Sequence, residues 1–183
     1  KVVRGTGFNK AGHFGFDKLD VTSEDEVRDY FFQHPGFDIV AYIAGEADAD
    51  LSETDHDRAR ILNTEAVERL ARWAKGCKFV YTSSEYVFDG SSGPYASGSA
   101  ARPINYYGQT KLDGEQAALK AFSNALVVRL GALYGYNGPN DKKTTVSKLI
   151  ASLDKTVPLE VDNLQIKHPI LLEDACRSLL KLL

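Results

Sequence analysis

Phe37-Asp38-Ile39-Val40-Ala41-Tyr42-Ile43-Ala44 is a short apolar run, rich in β-branched residues, with no regular alternation of polar and apolar positions. A strand with one wet face alternates, whereas a near-continuous apolar run is buried on both faces, as in a parallel sheet covered by helices. Lys78-Phe79-Val80-Tyr81-Thr82 reads the same way, and residues 125–130 form another such strand. Between these runs the period changes. Ala59, Leu62, Ala66, Leu70 and Trp73 recur at helical spacing, predicting a long helix over 57–75 with Trp73 in its core stripe and Gly76 as its stop. A further helix is predicted over 106–122.

Outward from this centre the pattern continues. Residues 1–8 read as a strand ending in Gly5-Thr6-Gly7, followed by a glycine-rich loop through Gly15. Ser23 is placed as a helix N-cap, with Glu26 completing a capping box. Val27, Tyr30 and Phe31 share a helix face that stops at His34-Pro35-Gly36. The acidic stretch 48–57 reads as a solvated loop. The stretch 89–103, rich in Ser, Gly and Pro, reads as a long loop of the functional or mobile kind. Towards the end, a helix over 146–153, a short strand over 159–161 and a helix over 173–183 are expected. Strands joined by helices imply a doubly wound α/β fold with a parallel sheet, as a single domain over 1–183.

Composition narrows the function classes. The 183 residues are 43% hydrophobic and 26% charged, too apolar for disorder. A formal net charge of −3 argues against a nucleic-acid partner, which would call for a basic face. No apolar run approaches the roughly 20 residues needed to cross a bilayer. Cys77 and Cys176 are far apart and suit a reducing, cytoplasmic compartment. His13, His34, His56 and His168 show no metal-ligand spacing, and no Gly-x-Ser-x-Gly elbow is present, so neither a metal site nor a serine hydrolase is expected.

Chemistry gathers at the carboxyl ends of the predicted strands, where open α/β sheets bind ligands. One strand delivers Ser83 and Ser84. Another delivers Ala44 and Gly45, small enough to let a flat ring approach the backbone. The helix opening near Tyr106 carries Tyr107 and Lys111, four residues apart on one face. A free phenol is a poor acid at neutral pH. A neighbouring ammonium is expected to lower its pKa, so that Tyr107 gives a proton to a carbonyl oxygen that Ser84 holds in place. Tyr106 points about 100° away around the helix and is read as packing or substrate wall.

Ser83-Ser84-Glu85-Tyr86-Val87-Phe88-Asp89-Gly90, followed by Asn105-Tyr106-Tyr107-Gly108-Gln109-Thr110-Lys111-Leu112-Asp113-Gly114-Glu115, resembles the extended short-chain dehydrogenase/reductases. Within them the chain looks most like the dTDP-4-dehydrorhamnose reductase family, which includes the regulatory β subunit of methionine adenosyltransferase. Leu112-Asp113-Gly114-Glu115 and Ala44-Gly45-Glu46 look slightly closer to that regulatory branch, and Arg129-Leu130 with Leu133-Tyr134-Gly135 resembles the family's next strand and its exit.

The resemblance implies a Rossmann-type fold, with Ser84, Tyr107 and Lys111 on the catalytic positions. It implies NADP as cofactor, with NAD open. Lys10 would stand near a 2′-phosphate and Asp20 near the adenine amino group, and Ala44, Gly45, Ser83, Tyr107 and Lys111 would line the cofactor. Glu85, Asn105 and Arg129 would meet a nucleotide-linked sugar. Asn63 would bond the backbone of a neighbouring loop, its other reading being an exposed residue on the helix surface. A methionine adenosyltransferase catalytic subunit is the alternative partner, and a homodimer is left open.

Four departures bear on this reading. The family opens with a strand, a glycine-rich turn and a helix that meets the pyrophosphate. Gly5-Thr6-Gly7 lacks the following helix, so residues 1–8 are read as the family's second strand. The chain opens at Lys1 and contains no methionine, so the first strand and its turn are expected upstream. Most of the C-terminal substrate portion is expected beyond Leu183. Glu85 stands where relatives carry Asp, and Ala96-Ser97-Gly98-Ser99 replaces an acidic loop. These changes leave three functions open: reductase of a keto sugar, NADP-binding regulatory subunit, and sugar-nucleotide epimerase or dehydratase.

Overall fold

A computed structural model of the chain describes residues 3–8, 15–135, 146, 150 and 167–183. Its two compact units are Lys1–Arg129 and Leu130–Leu183.

In the first unit Thr6–Gly7 (β1) pairs in parallel with Asp17–Lys18 (β2), so Gly5-Thr6-Gly7 belongs to a strand and not to a ligand turn. Helix α1, Glu24–Gln33, starts where expected, the Ser23 hydroxyl accepting from the Glu26 amide at 3.2 Å. Only half of the capping box forms, because the Glu26 carboxylate accepts from the Asp20 amide instead. Ile39–Tyr42 (β3), Lys78–Ser84 (β4) and Ala125–Leu130 (β5) form a sheet in that order, with β3 and β4 parallel.

β1-β2 and β3-β4-β5 are separate ladders.

Two expectations are corrected here. The acidic stretch is helical: Ala49–Thr54 (α2) is capped by Asp48 and His56–Arg60 (α3) by Asp55, each aspartate accepting an amide of the first turn. The aspartates read as solvated charges are N-caps, favoured there by the helix dipole. Trp73 is not a core residue; it is 38% exposed and its indole donates to Glu24 at 2.8 Å.

A π-helical turn, Ile61–Glu65, stands between α3 and α4 (Ala66–Trp73). A turn of the i→i+5 kind accommodates an extra residue, and it brings Asn63 inward where Leu62 was expected. Ala59, Ala66 and Leu70 of the expected stripe are inward, with Val67 and Ala74 beside them; one turn beyond Leu70 it is Ala74 that is buried, and Trp73 lies on the flank. Gly76 then reverses the chain at φ +78°.

β4 is the axis of the core: Phe79, Val80 and Tyr81 are fully buried, and Phe79 stacks on Phe122 with ring centroids 4.1 Å apart. Leu19, Val27, Val67, Leu70 and Ala118 pack around it. The last helix of this unit, Tyr106–Ala121 (α5), matches its expected span closely.

In the second unit Leu133–Tyr134 (β6) pairs in parallel with Ile170–Leu171 (β7), and Leu172–Leu182 forms α6. Of the helix expected over 146–153, the described residues Val146 and Ile150 are helical; the strand expected over 159–161 lies outside the described residues. Among the described residues no helix is long and apolar enough to cross a membrane, and no group of side chains has metal-ligand geometry. Parallel strand pairs and covering helices make this a Rossmann-like α/β fold.

Candidate functional site

The site is built around the first turns of α5. Asn105 caps the helix, its side-chain oxygen accepting from the Gly108 amide at 2.8 Å. A second orphan amide, that of Tyr106, donates to the Glu53 carboxylate of α2 at 2.6 Å. The Tyr106 ring stacks on His56 at 3.8 Å, confirming it as packing. The helices missed in the acidic stretch thus fix the point where α5 begins. Gly108 is needed there, since a Cβ would fall 2.9 Å from the Tyr86 carbonyl carbon and closer still to its oxygen.

Tyr107, Lys111 and Glu115 follow at intervals of four, and all three are buried. Ser83 and Ser84 end β4 beside them, also buried. The Ser84 hydroxyl accepts from the Tyr86 amide at 3.3 Å and opens the 3₁₀ turn Glu85–Val87. Tyr86 packs edge-on against Tyr107 at 5.5 Å.

Burial pushes the Tyr107 phenol above its ordinary pKa, and the hydrogen bond with Ser84 opposes that rise. The expected lowering by Lys111 is not found: desolvation of the phenolate, helped by Tyr86, Glu46 and Glu85, sets the direction. Lys111 moves the other way, to about 8, because burial disfavours its ammonium, with Glu115 acting in opposition. Its Nζ sits over the Tyr81 ring, 4.5 Å from the centroid.

Asn63 joins the parts. It is fully buried, and its amide donates to the Glu46 carbonyl at 3.1 Å and to Thr110 Oγ1 at 3.0 Å, linking the turn after β3 to α5 midway between Tyr107 and Lys111. Its own carbonyl accepts from the Tyr81 hydroxyl of β4 at 2.9 Å. Thr110 donates to the Tyr107 carbonyl at 2.9 Å. The expected loop-bonding role is therefore the one found. Glu46 holds the same turn, accepting from the amides of Ala47 and Asp48 and from the Arg58 guanidinium.

The backbone at Ala44 and Gly45 is exposed, and Gly45 has φ +156°. A Cβ on Gly45 would fall 2.5 Å from Asn63 Oδ1 and 3.8 Å from Lys111 Nζ. Among the described residues, that Asn63 oxygen is buried without a hydrogen-bond partner. A flat group could therefore approach the Gly45 backbone beside Lys111 only because no side chain stands there.

The remaining candidates are spent differently. Ser83 donates to Glu115 at 2.5 Å. Arg129 grips Glu115 through Nε and Nη2, at 2.8 and 2.6 Å, and donates to the Ser97 carbonyl. Asp20 accepts from Thr22 within its own turn. Glu85 is half-buried at the start of the 3₁₀ turn. Lys10 lies outside the described residues.

The 89–103 loop is anchored at both ends. Tyr95 donates to Asp89 at 2.6 Å and stacks on Phe88 at 4.3 Å, while the Arg102 amide donates to the Val87 carbonyl. The Tyr95 hydroxyl, with Ser91, holds the Asp89 carboxyl at about 2. Arg129 lies over the Phe88 ring at 5.0 Å.

Sequence reading missed Glu115, Glu53 and Glu46 as parts of the site. For Glu115 the signal was its place one turn beyond Lys111 on the same stripe. For Glu53 there was none, since its role depends on a tertiary contact.

Buried phenol, serine and lysine at the end of β4 and the start of α5 form an arrangement that can hold a carbonyl oxygen and pass it a proton. A family model described as the RmlD substrate binding domain matches residues 4–183. Methionine adenosyltransferase 2 subunit beta of Xenopus laevis is 38% identical over 135 residues, covering 73% of this chain and 40% of its own. A probable dTDP-4,6-dihydroxy-2-methyloxan-3-one 4-ketoreductase of Streptomyces antibioticus is 39% identical, covering 73% and 46%. The crystal structure of dTDP-4-dehydrorhamnose reductase from Bacillus anthracis, in complex with NADP, superposes with a TM-score of 0.80 at 26% identity, covering 91% of this chain and 61% of that one. The chain thus spans about half the length of the curated relatives it matches.

Proposed function

Because the chain belongs to the family of the RmlD substrate binding domain, we propose that it carries the catalytic face of an NADP-dependent reductase acting on a keto group of a nucleotide-linked sugar. The observation that carries this reading is the burial of Ser84, Tyr107 and Lys111 side by side at the carboxyl end of β4. NADPH, when bound, supplies the hydride. Ala44 and Gly45 give its flat ring access to the backbone, and Lys111 stands where a ribose hydroxyl would be held. The Ser84 hydroxyl donates to the keto oxygen and fixes it. Tyr107, protonated because burial raises its pKa, delivers the proton to that oxygen and is left as phenolate beside the Lys111 ammonium. Glu85 and Asn105 border the space for the sugar. Arg129 supports it from behind through Glu115. Free thiols at Cys77 and Cys176 suit a cytoplasmic protein.

Turnover of a dTDP-4-keto-6-deoxy sugar with NADPH, in parent and Tyr107→Phe proteins, tests the proposal. The phenylalanine variant is expected to bind NADPH and to lose turnover by about 10²-fold or more, the scale of a missing general acid. Turnover surviving the substitution would refute Tyr107 as proton donor.

A second reading, that of a cofactor-binding regulatory subunit docked on a methionine adenosyltransferase, draws support from the likeness to the Xenopus laevis subunit. It also draws on the uncharged 96–99 segment, where the Ala96 amide is taken by Ser99. Co-purification with a methionine adenosyltransferase, together with no sugar turnover, would favour it. Titration calorimetry with NADPH and NADH tests the cofactor, and a preference for NADH would argue against Lys10 as a phosphate ligand.

A further inference from the structure

We propose that Glu115 is a positioning residue of the Tyr107–Lys111 site, holding the Lys111 ammonium in its charged form from one helical turn away and, through Ser83, fixing the strand end that presents Ser84. The inference rests on the reductase reading only for its effect on turnover.

The geometry is specific. Glu115 is 3% exposed, and a carboxylate at that depth calls for charged and hydrogen-bonding partners. Three donors meet it. Oε1 accepts from the Ser83 hydroxyl and Arg129 Nε, and Oε2 accepts from Arg129 Nη2. The carboxylate is thus paired with Arg129 on β5, and it stands one turn beyond the buried Lys111 on its own helix. Ser83 immediately precedes Ser84, so the bond to Ser83 also ties the end of β4 to α5.

The other groups around Lys111 do not take over this task. Tyr81 of β4 offers a ring face, and Asn63 of the π turn offers a neutral amide. Glu46, from the turn after β3, is paired with Arg58 of α3. Glu85 and Tyr86, from the 3₁₀ turn, act on Tyr107. Glu53 of α2 and His56 of α3 meet Tyr106 at the helix start. Glu115 is the charge that opposes the effect of burial on Lys111.

The test uses the ligand-free protein labelled with ¹³C-lysine, following the Lys111 Cε resonance through pH, with assignment by Lys111→Arg. Glu115→Gln keeps the shape and one acceptor for Ser83 but removes the charge. The Lys111 midpoint is expected to fall by about 1 pH unit or more, and the alkaline limb of the turnover profile is expected to move with it. A midpoint that does not move overturns the proposal. Should Glu115→Gln fail to fold, Arg129→Gln addresses the same electrostatics from the other side. Loss of that partner leaves the buried carboxylate unpaired and favours its neutral form, so the midpoint is expected to fall here too, and a rise or no change overturns the proposal. Because the titration needs neither cofactor nor sugar, a protein without reductase activity still decides the role of Glu115. Conversely, an unmoved midpoint in an active enzyme leaves the reductase reading standing.

Discussion

Replacing Gly114 with alanine should destabilise the first unit although it improves helix propensity. A Cβ built on Gly114 falls 2.6 Å from Tyr81 Cζ and closer to both the Tyr81 hydroxyl and the Asn63 carbonyl. These two are the partners of one buried hydrogen bond, and neither can retreat: Tyr81 is fully buried in β4 and the Asn63 carbonyl belongs to the π turn. Alanine in a helix interior gains about 1 kcal/mol over glycine. Overpacking of a full core costs about 1–3 kcal/mol, and stranding a buried donor or acceptor costs about 1–3 kcal/mol more. The expected net loss is about 3 kcal/mol, which at an m value near 2 kcal/mol/M lowers the urea midpoint by about 1.5 M. Trp73, the single tryptophan, reports unfolding of this unit through its fluorescence, since its bond to Glu24 spans α4 and α1. Tyr81→Phe removes the hydroxyl and part of the clash, so the alanine should cost about 1 kcal/mol less in that background. A Gly114→Ala protein as stable as its parent, or stabilised by the propensity gain alone, would refute the close approach of α5 to the π turn.

Lys111→Met should stabilise the protein at neutral pH by up to about 3 kcal/mol, the equivalent of a lysine lowered from its ordinary 10.5 to about 8. The unfolded chain binds the proton up to about 10.5 and the folded one only to about 8, so the parent's stability should rise with pH across that window. The variant should lack that rise, and urea titrations at pH 7 and pH 10 check both points. Arg129→Ala strips the cation from buried Glu115 and the donor from the Ser97 carbonyl. A loss of about 2–4 kcal/mol is expected, at the lower side of broken buried pairs because Arg129 is partly exposed, with faster amide exchange at 96–99. Gly108→Ala should impair the start of α5 through its clash with the Tyr86 carbonyl, lowering the melting temperature and, on the reductase reading, kcat. Unchanged values of both would contradict the contact.

The candidate site was legible because it is written in local periods. The run 78–82 could only be a buried strand, and the four-residue spacing of Tyr107 and Lys111 could only be one helix face. What escaped was set by tertiary structure or by subtle phase. Asp48 and Asp55 look like solvated charge until their side chains are seen capping α2 and α3. The π turn brings Asn63 inward in place of Leu62, while at the end of α4 the i+4 residue Ala74 and not the i+3 residue Trp73 follows Leu70 into the core, a choice that counting apolar residues at helical spacing does not make. The phenol's environment also misled: spacing revealed the ammonium beside Tyr107 but not the depth at which both lie, and depth decides the sign of the shift.

The 89–103 loop is clamped by the chain's own contacts at Asp89, Tyr95 and Arg129. Fixing a residue's backbone costs about 1–2 kcal/mol of conformational entropy, a cost that falls on folding here and not on association. A ligand meeting this wall should therefore bind in one kinetic phase, with a rate linear in concentration and no slow closure step. Loosening the wall with Tyr95→Phe should move the ordering cost into the binding event, weakening affinity through entropy while leaving every direct contact intact.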